Sequence, residues 1–239
     1  MGYDVSFHPI SPDEMNDWYF TPLEWVKHGQ EEKVLALAAR YGIEDFYAEK
    51  YRNTLRVGAE TEPGELFDKS HGFYLAVIQG FFRDYYYTRG SAFSFLMEQK
   101  PEYARYVTPW KQVSPSAFSN PAENRIVENY CSGVYLSPAQ VAQLLRDLEQ
   151  NPKVHADLEG LWCGGQLAVL KKALTAALKL DVGLLEATEV VEPNPIRPNE
   201  STSYSNLYHC DWDGVYLYID TAMRQLEEAI KGKEASYER

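Results

Sequence analysis

The densest chemistry in the chain lies at His209-Cys210-Asp211-Trp212-Asp213-Gly214, where imidazole, thiol and two carboxylates fall together. All three groups ligate metals, and His with Asp suits zinc or a harder divalent ion. On a strand, alternation would set His209, Asp211 and Asp213 on one face and Cys210 on the other. The structural alternative is a turn, with Asp213-Gly214 reversing the chain between two Tyr-rich strands. We prefer the turn, so neither a metal nor a cofactor is expected. A second candidate is Cys163 in Trp162-Cys163-Gly164-Gly165, just ahead of a helix that begins near Leu167. A thiol there feels the positive end of the helix dipole, which favours a nucleophilic thiolate. The stretch is like the start of a thioredoxin redox motif without its second cysteine. A hydrolase would also need a histidine, and His155 and His209 are the candidates. The alternative is a small buried cysteine before a glycine hinge. A third candidate is His71, in Asp68-Lys69-Ser70-His71-Gly72, either an acid or base at a pocket or a helix-capping side chain. Dinucleotide, phosphate-loop, zinc-protease, nucleophile-elbow and calcium-loop motifs are all absent from the sequence.

Tyrosine outnumbers phenylalanine 18 to 10. Such residues serve cores, but they are also enriched at protein interfaces. Tyr204, Tyr208, Trp212, Tyr216 and Tyr218 fall in one segment and make a candidate binding surface.

The elements that must position these groups announce themselves by their caps. Ser11-Pro12-Asp13-Glu14, Thr21-Pro22-Leu23-Glu24 and Ser137-Pro138-Ala139-Gln140 share a capping hydroxyl, a proline at the first helical position and a closing Glu or Gln. Asn120-Pro121 and Asn151-Pro152 are variants with Asn as the cap. Val141, Leu144, Leu145 and Leu148 form one apolar stripe, and Leu167, Leu170, Leu174 and Leu178 another. Residues 73–87 are apolar nearly all round, which predicts one buried central helix. Strands are predicted at Tyr3 to Ile10, Gly133 to Leu136, Leu184 to Val191 and Val215 to Ile219. Prolines 193, 195 and 198 and the serines after them predict a long loop over 192–206. The sum is a single helix-dominant α+β domain, residues 1–239, with a small sheet.

Composition bounds the function. Hydrophobic residues at 45% and charged residues at 24% exclude a disordered chain, and no apolar run is long enough to span a membrane. The net charge of −12 is not spread evenly: residues 1–60 carry −5, residues 181–239 carry −7, and the middle half is balanced. A nucleic-acid binder needs the opposite sign, so direct nucleic-acid binding is not expected. A basic protein partner is, because complementary charge speeds encounter. The three cysteines, without any C-x-x-C, and the lack of a cationic-then-apolar leader point to a reducing cytoplasm. Met1-Gly2 with Ser6 matches the myristoylation pattern only formally, and we discount it.

In order along the chain, the Met1-Gly2 strand opening, Ser11-Pro12-Asp13-Glu14, Asp68 to Phe73 and Val134-Tyr135-Leu136-Ser137-Pro138 resemble small bacterial cytosolic proteins of the YfbM type. So does the Leu167–Leu178 helix leading to Gly183-Leu184-Leu185-Glu186. The resemblance covers residues 1–190 and implies no established activity and no catalytic residues. Small acidic bacterial proteins include immunity proteins that block toxins. The expectation is therefore a non-catalytic cytosolic binding protein, of the immunity kind, for a basic partner. The alternative is a hydrolase working through a metal at His209, Asp211 and Asp213 or through Cys163.

Overall fold

The first strand, β1 (Tyr3–Ile10), runs directly into the capping box expected at Ser11. The Ser11 hydroxyl accepts the Glu14 N–H at 3.2 Å, and the Glu14 carboxylate accepts the Ser11 N–H at 2.9 Å. Helix α1 (Pro12–Met15) then continues through a wide turn at Asn16–Phe20 into α2 (Thr21–Lys27). Thr21 is therefore no helix start: it is helical itself, and its N–H bonds the carbonyl of Asn16, five residues back. Pro22 has no N–H to give, and the wide turn just before it carries the chain on without a break. The computed structural model describes residues 3–61, 71–114 and 124–237, the last helix with its side chains through residue 228 and at Ile230. The Asn120-Pro121 helix start, Asp68 to Ser70 and Met1-Gly2 lie outside those residues.

Beyond α2 come α3 (Glu31–Arg40), α4 (Asp45–Glu60), α5 (Phe73–Phe82), β2 (Tyr85–Gly90), α6 (Phe93–Gln99) and α7 (Trp110–Val113). A second strand-to-helix unit follows, β3 (Ser132–Leu136) into α8 (Pro138–Gln150), with the Ser137 capping box formed. Asn151 caps α9 (Pro152–Leu161), and α10 (Gln166–Leu180) leads to β4 (Gly183–Thr188). Short strands β5 (Val191–Glu192), β6 (Thr202–Ser203) and β7 (Cys210–Asp211) precede the last helix, α11 (Asp213–Tyr237). Strands β5 and β6 pair antiparallel and close the Pro-rich stretch into a hairpin, inside which Asn194 Oδ1 accepts the N–H groups of Ile196 and Arg197.

The main sheet has the order β3-β4-β1-β2-β7. Strand β1 is antiparallel to both of its neighbours, with Val5 opposite Thr88 on one side and Thr188 on the other. Alternation then sends Val5 and Phe7 to a core built with α8, α9 and α10, where Leu144, Leu158, Leu170 and Leu174 are buried. Ile10, Tyr85, Tyr87, Leu185 and Ala187 face a second core built with α1 to α5, where Trp18, Tyr51 and Ile78 are buried. Helices thus cover both faces of the sheet in one helix-dominant α+β domain. Among the described residues no helix is long and apolar enough to cross a membrane.

Two sequence expectations are corrected. Residues 73–87 are not one helix: α5 ends at Phe82, Arg83 is extended (φ −162°, ψ 174°), and Tyr85 opens β2. Arg83 leaves the helix to pair with Glu14 and lies over the Trp18 ring at 4.8 Å. A strand buried on both faces loses its polar alternation, so the tyrosines 85–87 look like more of the same apolar helix. Nor is Val215 to Ile219 a strand. It forms the first turns of α11, and Asp213-Gly214 starts that helix instead of reversing the chain. A Cβ on Gly214 would collide with the carbonyl oxygen of Tyr87, so the glycine serves close approach of α11 to β2.

Candidate functional site

The residues picked out by sequence do not converge on a metal. His209 Nδ1–H donates to the carbonyl of Gly80 at 2.9 Å. Asp211 and Asp213 both accept from Lys172 Nζ of α10, each at 2.5 Å. Burial alone would pull the Lys172 ammonium down, but the two carboxylates hold it up at about 12. Among the described residues no group of three His, Cys, Asp or Glu side chains could hold a metal ion. Lys172 stands 39 positions before Asp211, so no local spacing could have announced it.

Cys163 is exposed, which corrects the view of it as a small buried thiol. It precedes Gly164 (φ +68°) and Gly165 (φ +90°), whose left-handed backbone turns the chain into α10. His71 Nδ1 lies 2.6 Å from the Tyr19 hydroxyl, and burial raises that phenol well above its usual range. The aromatics of the C-terminal segment divide. Tyr208 is 86% exposed, Tyr216 60% and Tyr204 50%, while Trp212 packs half-buried against the core with its ring 6.3 Å from that of Tyr216.

What sequence reasoning missed is a cleft of about 1430 Å³ at the end of the sheet where β1 begins. Tyr3 opens β1 there, α4 supplies Lys50 and Asn53, and α5 supplies Phe73. Its aromatic wall is a trio of rings packed edge to face: Phe73 to Tyr130 at 5.7 Å, Phe73 to Tyr204 at 5.6 Å and Tyr130 to Tyr204 at 5.7 Å. Tyr130 has left-handed backbone (φ +61°) and donates its hydroxyl to Glu192 at 2.9 Å, which fixes the ring and raises its pKa. Lys50 Nζ donates to the Ser203 carbonyl at 3.2 Å, and burial lowers its pKa. These residues come from five separate stretches of sequence, so only Tyr204 carried a signal, as one of a run of aromatics.

Three further polar groups lie in or beside the sheet. At the cleft end, Asp4 accepts from the Tyr87 hydroxyl and pairs with Arg89, both at 2.5 Å. Glu189, next to it at φ +59°, is pushed up to about 7 by burial and by the Asp4 charge. Deeper, Glu186 is fully buried and its carboxylate accepts the N–H groups of Phe93 at 2.6 Å and Val134 at 3.3 Å. Burial outweighs those donors and raises it to about 7.

The third group has the outline of a catalytic triad. Ser6 Oγ is 2.8 Å from His8 Nε2, and His8 Nδ1 is 2.7 Å from Gln79 Oε1. The Gln79 amide spends its N–H donors on the carbonyls of Pro9 and Asp84, so its oxygen accepts from His8 Nδ1–H and Nε2 is left to accept from Ser6. That is the order of nucleophile, base and orienting group. All three side chains are at most 1% exposed, however, and the imidazole is stacked on Tyr85 at 5.1 Å. No substrate reaches Ser6 in this arrangement, and the trio ties β1 to α5.

Comparison with protein-family models, with curated proteins and with solved structures finds no match.

Proposed function

We propose that the protein is a non-catalytic binding protein for a basic protein partner, of the kind an immunity protein is for its toxin. The observation that carries this reading is the exposure of Tyr208, at 86%, with Tyr204 and Tyr216 also exposed in the quarter of the chain that carries −7. Tyrosines offer large contact area at low conformational cost, and carboxylates steer a basic partner into place. The side chains that would have to do chemistry are engaged elsewhere: His71 on Tyr19, His209 on Gly80, and Asp211 and Asp213 on Lys172. The test is binding to purified basic proteins encoded beside this gene, with growth rescue if the product is toxic. Tyr208→Ala and Tyr204→Ala should each weaken the complex about tenfold, and association should slow as salt rises. Binding indifferent to both tyrosines and to salt would defeat the proposal.

The exposed Cys163 ahead of α10 favours one competing reading, a thiol hydrolase. It requires a turnover that iodoacetamide abolishes and Cys163→Ala lacks.

A further inference from the structure

Helix α11 carries an apolar seam that outruns the body of the protein. Trp212, just before the helix, and Tyr216, Ile219, Met223, Leu226 and Ile230 within it recur at alternating steps of four and three, the spacing of a coiled-coil face. Its first part is anchored: Val215 is fully buried, and Trp212, Tyr218 and Ile219 pack against the core. From Met223 to Glu228 every residue is exposed, yet the seam goes on, with Met223 at 41%, Leu226 at 43% and Ile230 at 50% exposure. A helical stretch this exposed draws little of its stability from tertiary packing, so a partner that covered the seam would stabilise it.

Charge selects the occupant. With Tyr216, Met223 and Ile230 in the first core position of each heptad, Asp220 and Glu227 fall on one flank and Ala222 on the other. A second copy laid antiparallel would set the acidic flank against itself, and one laid parallel would set it against alanine. Neither gives the carboxylates a cation. Arg224 lies away from the seam and bonds Thr221 of its own helix at 3.3 Å. We propose that the exposed seam of α11 docks an amphipathic helix of the partner, with Lys or Arg of that helix facing Asp220 and Glu227. This rests on the reading of the protein as a binder of a basic partner and names the element that does the binding.

The test uses the full chain and three synthetic helical peptides. One has a Leu/Ile seam flanked by Lys, one the same seam flanked by Glu, and one the Lys composition with its seam scrambled. The Lys-flanked peptide should bind one to one by calorimetry, weaken as salt rises, and weaken about tenfold or more with Leu226→Asp. Leu226 is exposed, so an unchanged thermal unfolding curve shows that the variant is folded. Equal binding of the scrambled or the Glu-flanked peptide would overturn the proposal, as would no binding at all. So would a dimer in sedimentation that Leu226→Asp dissociates, since a second copy would then cover the seam. If a basic protein binds through Tyr208 but ignores Leu226→Asp, the α11 proposal falls and the wider function stands.

Discussion

His8 and His209 each sit within two to four residues of groups that could do chemistry with them, and the folded chain treats them in opposite ways. Around His209 the sequence is dense with ligand-type side chains, and the fold disperses them: the imidazole goes to the Gly80 carbonyl, the acids to Lys172. Around His8 the sequence offers Ser6 and Asp4; the fold sends Asp4 to Tyr87 and Arg89 and completes a hydrogen-bonded trio of Ser6 and His8 with Gln79, 71 positions away. Crowding along the chain is therefore no measure of convergence in space. The first cluster lies at the surface, where a salt bridge contributes little; the second lies in the dry interior, where every polar group must be matched.

Four measurements would sharpen or break that contrast. The largest effect should come from Gln79→Leu, which strands the Pro9 and Asp84 carbonyls and the His8 N–H. A loss of roughly 3–5 kcal/mol in urea unfolding is expected. A loss under about 1 kcal/mol would mean that the interior trio matters no more than the surface cluster.

Next is the buried Glu186. Its carboxyl titrates at about 7 folded against 4.5 unfolded, so between those values the folded state holds a proton that the unfolded state has released. Its contribution is full below about 4.5 and is lost as pH rises through 7. Stability of the wild type relative to Glu186→Gln should therefore fall by roughly 3 kcal/mol across that window. His8 works the other way. Burial lowers it from 6.5 to about 4, so its contribution is full above 6.5 and is lost as pH falls toward 4. Glu189, also raised to about 7, acts in the same sense as Glu186, so where the windows overlap His8 offsets only one of the two. The wild-type stability should therefore fall with pH there, and Glu186→Gln should flatten the profile. A wild-type profile that the variant leaves unchanged would refute the assignment.

Gly214→Ala should cost about 2 kcal/mol, because the added methyl meets the Tyr87 carbonyl. Lys172→Ala should be the mildest, under about 1 kcal/mol and smaller still in high salt, since that side chain is 44% exposed. If the order of these last two reversed, the role of the His209 to Gly214 segment would be electrostatic after all.

What was legible in the sequence was whatever depends on near neighbours. The Ser11 and Ser137 boxes and the Asn151 cap need only a few adjacent residues, and all three form. Strand β1 was legible from the alternation of Tyr3, Val5 and Phe7 just ahead of the Ser11 cap. The Leu167 stripe holds through Leu174, but Leu178, in the last turn of α10, is 44% exposed. The end of α5 was hidden by double-sided burial, and Val215 to Ile219 by β-prone residues that tertiary contact holds in a helix. The cleft was not legible at all. Tyr3, Lys50, Phe73, Tyr130 and Tyr204 meet only once the sheet end, two helices and a hairpin are in place.

The position of β1 also sets a schedule. It is made before the other strands of its sheet, yet it lies in the middle of that sheet, with Tyr3 opposite Gly90 and Ile10 opposite Gly183. At roughly 5–20 residues per second, its second neighbour is delayed by on the order of ten seconds or more after β1 has been made. Throughout that interval Val5, Phe7 and Ile10 have no finished core to enter. The sheet can close only once β4 has been made, so a chain that stalls before it presents a bare strand edge open to wrong pairing.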